Sequence, residues 1–171
     1  MPEPPTSAPI IHTARLDALP LRVEHAQEMA QVLADPALHA FIGGRPATPD
    51  ALRSRYERLV AGSPDPAVTW WNWVLRRRED GCLVGTVQAT VTGDVAEIAW
   101  VLGTPWQGRG FAVEAVRGLV DRLGWQPRIR VVVAHIHPGH RASAAVAGAA
   151  GLTPTDRCQD GEVRWELSLR P

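Results

Sequence analysis

A pair of glycines at the start of a helical pattern constrains this sequence more than any other feature. The stretch WQGRGFAVEA contains Gly108 and Gly110 and leads into apolar residues at helical spacing as far as Leu123. Glycine allows turn angles that other residues resist, and it leaves room for an anion beside the backbone. Free amides at a helix start also bind anions. The turn therefore predicts either a phosphate site or a tight packing turn, and these residues alone do not choose between them.

The length and charge of the chain predict one domain without a nucleic-acid or membrane partner. A chain of 171 residues supports one core, and its formal net charge is zero. Cys82 and Cys158 are far apart, and no apolar run approaches the length of a membrane span. We therefore expect a reduced, cytoplasmic protein. Residues 1–9 are rich in proline and are predicted to form a flexible arm, followed by a single domain over 10–171.

The hydrophobic periodicity predicts a mixed fold. The first half should contain an extended segment at 10–21, helices at 24–33, 37–41 and 48–61, and consecutive strands at 67–78, 82–92 and 95–102. After the glycine turn we expect a helix at 110–124, a strand at 128–137, a helix at 142–150 and two short strands within 152–169. This order predicts an α/β (α+β) domain with a mixed, mostly antiparallel central sheet of six to seven strands and about four flanking helices.

Two familiar phosphate motifs do not fit the glycine turn. A dinucleotide fingerprint would need a third glycine where Val113 stands, and it would follow the first strand of a parallel unit. A P-loop would need a lysine, which this sequence lacks. A nucleotide-binding domain of another fold stays open as a weaker alternative.

The segment QGRGFA at 107–112 fits the Gln/Arg-x-x-Gly-x-Gly/Ala signature of the GNAT superfamily of N-acetyltransferases, and the sequence resembles that family over nearly its full length. AEIAWVLGTPWQGRGFAVEAV and HPGHRASAAVAGAAGL are similar to the cofactor-binding segments of its ribosomal-protein N-terminal (alanine) acetyltransferase branch. The resemblance implies a GNAT-like fold with acetyl-CoA as co-substrate and no metal. It also implies acetyl transfer to a primary amine by direct attack in a ternary complex. The alternative is a catalytically degenerate acyl-CoA-binding or regulatory protein.

The resemblance also implies where CoA binds. In the family the pyrophosphate lies on the amides of the glycine turn, and the pantetheine arm lies between two strands that splay apart. The implied cofactor-binding residues are Ala99, Trp100, Val101, Leu102, Gln107, Gly108, Arg109, Gly110, Phe111, Ala112, His140 and Ser143. His140 replaces the family's usual asparagine, and Ala147 stands where many members have a tyrosine that protonates the leaving thiolate. Ser143, a histidine or water would then protonate the leaving thiolate.

The implied chemistry needs a proton acceptor, because a primary amine is protonated at neutral pH. Glu97 is the first candidate, since it lies in an otherwise apolar strand and matches a glutamate of related sequences. We expect burial to make it a stronger base, unless it lies on a solvent face. His135 and His137 share one face of the next predicted strand and are the second candidates. The resemblance also implies that Ser143 acts at the sulfur of CoA.

The acceptor is less well defined by the sequence. Trp71 and Trp73 share a strand face opposite Trp70, and they either pack in the core or floor an acceptor pocket. We predict a small-molecule or peptide amine as the acceptor, and we consider a homodimer through the last strands. Protein N-termini, antibiotics, polyamines and amino acids all stay open as acceptors.

Overall fold

An eight-stranded sheet runs through residues 7–170, the part of the chain that the computed structural model describes. The strand order is β1-β2-β3-β4-β5-β6-β8-β7. The strands are β1 (Ile11–His12), β2 (Leu16–Pro20), β3 (Val68–Arg77), β4 (Leu83–Thr92), β5 (Val95–Leu102), β6 (Val131–Ile136), β7 (Thr153–Gln159) and β8 (Glu162–Ser168). Every neighbouring pair is antiparallel except β5 and β6, which are parallel. The predicted class, mixed and mostly antiparallel, is therefore confirmed.

The predicted strand count was too low because residues 10–21 were treated as one extended segment. Thr13 turns the chain, with its amide donating to the Leu16 carbonyl oxygen at 2.9 Å. As a result β1 folds back and pairs with β2, placing Ile11 opposite Ala18. Residues 1–6 of the predicted arm lie outside the described residues. Pro9, at the end of that arm, is tied to the sheet, since its carbonyl oxygen accepts from the Trp73 indole at 2.6 Å.

Five α-helices lie among the described residues, and their boundaries follow ordinary start and stop signals. They are α1 (Ala26–Val32), α2 (His39–Ile42), α3 (Pro49–Ala61), α4 (Phe111–Leu123) and α5 (Arg141–Ala149). In α3, for example, the Thr48 side chain caps the start by accepting from the Ala51 amide at 3.1 Å. Three short 3-10 turns precede α1, α2 and the glycine turn, at Val23–His25, Pro36–Leu38 and Thr104–Trp106.

The helices cover both faces of the sheet. Helix α4 packs on one face, where buried residues such as Leu119 and Val116 meet Trp71, Val87 and Ile98 of the sheet. Helices α1 and α3 pack on the other face. There a smaller core contains Met29, Leu52, Tyr56, Val74 and Leu83. The sheet is therefore the middle layer between two helical layers.

Strands β5 and β6 separate halfway along their length. Their parallel pairing covers three positions and ends at Glu97 opposite Val133. Beyond that point β5 stays paired only with β4, and β6 stays paired with β8. The facing edges after Ile98 and Ala134 thus have no partner strand, and their backbone groups are available to another molecule. The splay that the family resemblance implied is confirmed.

An ion-pair cluster fastens β2 to β3 near one end of the sheet. Asp17, buried at 9% exposure, accepts hydrogen bonds from His12 Nδ1 at 2.7 Å, Arg78 Nε at 3.0 Å and Arg76 Nη2 at 3.1 Å. The bond from His12 and, against the opposing effect of burial, the bonds from Arg76 and Arg78 lower the pKa of Asp17 to about 2. The folded pKa lies below the unfolded value. The ionised carboxylate therefore stabilises the fold above about pH 4, and this stabilisation is lost as the pH falls toward 2.

Replacing Asp17 with asparagine is expected to lower the free energy of unfolding by roughly 1 to 2 kcal/mol at pH 7, allowing for the solvent-exposed partners. Urea unfolding of Asp17→Asn and wild type should give a difference that shrinks between about pH 4 and pH 2. Asp121→Asn is the control, since Asp121 is exposed on α4 and forms no ion pair within 7–170. A difference that stays constant over this pH range would contradict the assigned role of Asp17.

Candidate active site

The glycine turn presents a run of free amides. Gly108 has φ +75° and Gly110, the residue that caps α4, has φ +81°, so both lie in the left-handed region that favours glycine. The amides of residues 108–113 donate no hydrogen bond to any described residue. Together with the positive end of the α4 dipole, these six amides form a site suited to phosphate.

Gln107 does not belong to that free run, contrary to the prediction that its amide faces the phosphate. Its backbone amide donates to the Thr104 carbonyl oxygen at 3.2 Å, and its side-chain amide donates to the Leu102 carbonyl oxygen at 2.9 Å. Gln107 therefore holds the turn against the end of β5. The run of free amides, 108–113, is thus displaced by one residue relative to the predicted run of 107–112.

The Arg15 side chain holds the glycine turn in place, although Arg15 lies far from the turn in the sequence. The sequence patterns did not indicate this contact. Its guanidinium donates to the Arg109 carbonyl oxygen at 3.0 Å and to Glu114 Oε1 at 2.8 Å. It also lies 4.1 Å from the centroid of the Phe111 ring. Partial burial alone would raise the pKa of Glu114, but hydrogen bonds from Thr13 and Arg15 outweigh it and lower the pKa. Glu114 thus stays ionised as the fixed partner of Arg15.

Three cavities surround the open end of β5. The turn cavity, about 620 Å³, lies between the glycine turn, the end of β5 and the start of α5. The cleft cavity, about 300 Å³, lies between the separated ends of β5 and β6. The α3 cavity, about 430 Å³, lies between α1, α3 and the sheet. Trp100 borders all three cavities, so they meet beside this residue.

The cleft cavity brings together all the residues predicted to be catalytic, which are Glu97, His135, His137 and Ser143, and also contains His140. His135 Nδ1 lies 2.9 Å from Glu97 Oε1, so two side chains proposed as alternative bases form one pair. The histidine side chain is 11% exposed and the glutamate side chain is 52% exposed. The expected burial of Glu97 is therefore wrong. It occupies the last paired position before the strands diverge, and it borders the cleft cavity.

Aromatic rings form the outer wall of the cleft. Phe41 of α2 stacks on His140 with ring centroids 4.2 Å apart, and its centroid lies 5.5 Å from that of His137. Burial lowers the pKa of His140, and the nearby His137 lowers it further, so His140 is neutral at pH 7. His137 is exposed, and its Nδ1 accepts from the Gly139 amide at 2.9 Å. Phe41 carried no signal in the sequence patterns, because it lies on a helix of four residues.

The start of α5 borders both the turn cavity and the cleft cavity. Ser143 is half-buried in the first turn of α5, with its hydroxyl oxygen 3.5 Å from His140 Nε2. Ala147 is fully buried against the core. The position where related sequences have a tyrosine is therefore packed, which leaves Ser143 and His140 as the polar groups at this end of the cleft.

Both tryptophans proposed to contact substrate pack in the core on the α4 face of the sheet. Trp73 is 1% exposed but borders the α3 cavity, and its indole nitrogen is bonded to Pro9. Trp71 is 2% exposed, packs edge-on against Trp73 at 6.3 Å and borders none of the three cavities. The structure therefore places Trp71 in the core. Large aromatic rings on the α4 face of the sheet are needed to fill that layer.

Three further observations concern the cysteines, the metal-type side chains and the helix lengths of the described residues. Cys82 and Cys158 are exposed and border none of the three cavities. Between residues 7 and 170 no three His, Cys, Asp or Glu side chains are grouped to hold a metal ion. No helix in the same range is both long and apolar enough to cross a membrane.

Known proteins share this fold and sequence pattern. Residues 15–153 match the family model described as the acetyltransferase (GNAT) domain. The FsC-acetyl coenzyme A-N(2)-transacetylase of Aspergillus fumigatus is 25% identical over 179 residues, which cover 94% of this chain and 76% of that protein.

Solved structures agree with this match at the level of the fold. A GNAT-family acetyltransferase from Bacillus anthracis superposes with a TM-score of 0.79 at 15% identity, covering 94% of this chain and 99% of that one. RimL, a ribosomal L7/L12 alpha-N-protein acetyltransferase solved with coenzyme A, gives a TM-score of 0.78 at 16% identity, covering 94% and 98%. With its family model spanning most of the chain and its glycine turn placed at the head of α4, the protein belongs to the GNAT family of acetyltransferases.

Proposed function

We propose that this protein transfers an acetyl group from acetyl-CoA to a primary amine by direct attack in a ternary complex. The observation that carries the proposal is the meeting of three features beside Trp100. These are a turn with six free amides, an unpaired strand edge and a Glu97–His135 pair. An acyl carrier with a pyrophosphate and a peptide-like arm fits the first two, and a proton acceptor is what the amine requires.

The cofactor would extend from the turn cavity to the cleft. Its pyrophosphate would accept from the amides of 108–113, with Arg109 and Arg141 adding charge, since neither guanidinium is bonded within the described chain. Its pantetheine amides would pair with the free edge of β5 after Ile98. This arrangement would bring the thioester beside Trp100, where an acceptor in the cleft can reach it.

The Glu97–His135 pair supplies the proton acceptor. In the neutral form of His135 whose Nδ1 donates to the Glu97 carboxylate, Nε2 is unprotonated and can take a proton from the ammonium group of the acceptor. The neutral amine nitrogen then bonds to the acetyl carbon, and the carbon–sulfur bond breaks. The nitrogen, positively charged after attack, releases its second proton to solvent. The CoA sulfur leaves as a thiolate, which is a fair leaving group, and takes a proton from Ser143, His140 or water.

The site supports neither of two alternatives, a degenerate binding protein or an acyl-cysteine mechanism. A degenerate binding protein would not need a glutamate and a histidine paired at the mouth of the cleft. An acyl-cysteine intermediate would need a thiol near the thioester, whereas both cysteines lie away from the three cavities.

Thiol release from acetyl-CoA with a panel of primary amines tests the proposal. We expect at least one amine to release thiol well above the hydrolysis background, and mass spectrometry should show a product heavier by one acetyl group. CoA binding without thiol release for every amine would overturn the proposed activity. Tighter binding of NAD than of CoA in calorimetry would instead support a different nucleotide-binding role.

Replacing Ser143 with alanine is expected to slow turnover about fivefold to tenfold, if its hydroxyl assists the departing sulfur with one hydrogen bond. The acetyl-CoA KM and the melting temperature should change little, because Ser143 is only half-buried. Ser54→Ala, an exposed change on α3, is the matched control. Equal rates for Ser143→Ala and wild type would assign proton delivery to His140 or water.

The cytoplasmic location and the homodimer are further parts of this proposal. Strand β7 ends the sheet order, so its outer edge has no partner strand within residues 7–170. Sedimentation of the purified chain distinguishes a monomer from a dimer paired through this edge.

A further inference from the structure

The α3 cavity is lined by hydrogen-bond donors without any carboxylate to balance them. Its polar lining residues are His39, Arg45, Arg55, Tyr56, Asn72, Thr86 and Gln88. None of the described residues that line it is an aspartate or a glutamate. The whole chain carries equal numbers of basic and acidic residues, so this cavity departs locally from the neutral average.

The two arginines of this cavity are unpaired. Neither Arg45 nor Arg55 forms an ion pair or a hydrogen bond with the rest of the described chain. Arg53, on the same helix as Arg55, faces Glu57 at 3.7 Å and does not line the cavity. Two free guanidinium groups at one cavity attract an anion, and each can bind a carboxylate or phosphate through two parallel hydrogen bonds.

Tyr56 adds a buried donor inside the same cavity. It is 4% exposed, and its hydroxyl has no hydrogen-bond partner among residues 7–170. Burial raises the pKa of Tyr56 to about 12, so the phenol remains protonated. The hydroxyl is not among the fully buried side-chain atoms that lack a partner, so it reaches the open space of the cavity and can donate to a ligand there. An anionic oxygen is the acceptor that would satisfy both this hydroxyl and the arginines.

The α3 cavity connects with the place where the chemistry is proposed. Ala99 and Trp100 line both the α3 cavity and the cleft cavity that contains Glu97 and His135. The α3 cavity is also lined by apolar side chains such as Leu21, Leu33, Leu52 and Leu59. One molecule can therefore place an amine at the cleft and extend an apolar segment toward the arginines.

We propose that the α3 cavity selects an acceptor that carries an anionic group, a carboxylate or a phosphate, separated from the reacting amine by an apolar segment. The inference rests on the proposed acetyl transfer and names its substrate class. Polycationic amines are disfavoured, because a second ammonium group would face two guanidinium groups and no carboxylate. Exclusion by like charge is an effective route to specificity.

A matched acceptor series tests this selectivity. The compounds are 6-aminohexanoate, 6-aminohexyl phosphate, hexylamine and 1,6-diaminohexane, which share one amine and one six-carbon chain. We expect kcat/KM for the better anionic compound to exceed that of hexylamine at least about tenfold, and that of the diamine by more. Comparison of 6-aminohexanoate with 6-aminohexyl phosphate shows which anion is preferred. Equal or higher activity with hexylamine or the diamine would overturn the inference.

Charge reversal at Arg55 provides a second test. Arg55→Glu should reduce kcat/KM for the preferred anionic compound by about thirtyfold or more, and raise it for 1,6-diaminohexane. Arg53→Glu is the matched control, since it makes the same charge change on the same helix outside the cavity. Equal effects of the two substitutions would show that overall charge, and not the cavity, sets the preference.

Binding of a product separates this inference from the proposed activity. In the presence of CoA, calorimetry should show 6-acetamidohexanoate binding at least about tenfold more tightly than N-hexylacetamide, with the difference lost in Arg55→Glu. This measurement needs no turnover. If no amine releases thiol, the proposed activity fails while the binding difference still tests the cavity. Equal affinity for N-hexylacetamide and for both anionic acetamides, 6-acetamidohexanoate and 6-acetamidohexyl phosphate, would overturn the anionic-acceptor inference.

Discussion

Replacing His135 with glutamine is expected to lower kcat about 100-fold to 1,000-fold, the range typical for loss of a positioned general base. The expectation follows from the 2.9 Å contact between His135 Nδ1 and Glu97 Oε1, which leaves Nε2 available to the amine. Acetyl-CoA affinity should change less than about threefold, because the pyrophosphate would be bound by the distant glycine turn. Steady-state thiol release and calorimetry with CoA measure the two effects.

Glu97→Gln completes this test. If the Glu97 carboxylate orients the His135 imidazole, then Glu97→Gln, His135→Gln and the double variant should lower kcat by similar factors. The reason is that both residues act on the same proton. His137→Gln is the control, because His137 lies exposed on the rim and its Nδ1 accepts from the Gly139 amide. A larger loss for His137→Gln than for His135→Gln would move the base to the rim. Independent, additive losses at Glu97 and His135 would contradict a shared role.

Replacing Gly108 with aspartate is expected to weaken CoA binding about tenfold to a hundredfold more than replacing it with asparagine. In both variants the backbone at residue 108 must keep a φ of +75°. Asparagine and aspartate tolerate this angle better than most residues. A Cβ placed there has no atom within 4 Å apart from its chain neighbours. The two variants therefore share their strain and their size, and they differ by one negative charge beside the phosphate site.

Calorimetry with CoA at two salt concentrations checks this prediction. The difference in CoA affinity between Gly108→Asp and Gly108→Asn should become smaller at high salt, because ions screen the repulsion at this exposed turn. Pantetheine, which lacks the pyrophosphate, should not distinguish the two variants. Equal CoA affinity for the aspartate and asparagine variants would place the pyrophosphate away from the turn.

Most of the fold was predictable because its signals are local. The meander was placed within a residue or two of β3, β4 and β5, since alternation and turn residues mark each strand. The missed strand β1 has two residues, too few for any pattern to form. Its existence depends on pairing with β2, which is a contact between strands.

The site was predictable as a set of residues but not as an arrangement. Glu97, His135, His137, His140 and Ser143 do line one cleft. Their distances and burial came from the way β5 and β6 separate, and no residue pattern reports where two strands stop pairing. The exposure of Glu97 and the core position of Trp71 were likewise not readable from local patterns, because burial depends on which layers pack against a residue.

By itself the sequence determined the glycine turn at the head of a helix, because a positive φ at Gly108 and Gly110 is a local requirement of the backbone. The tertiary structure alone decided what surrounds that turn. Arg15 reaches Glu114 across 99 positions and Glu97 meets His135 across 38, and the unpaired arginines face a cavity formed by α3 and the sheet. Contacts between residues so distant in the chain depend on how the layers pack, and no local pattern specifies them.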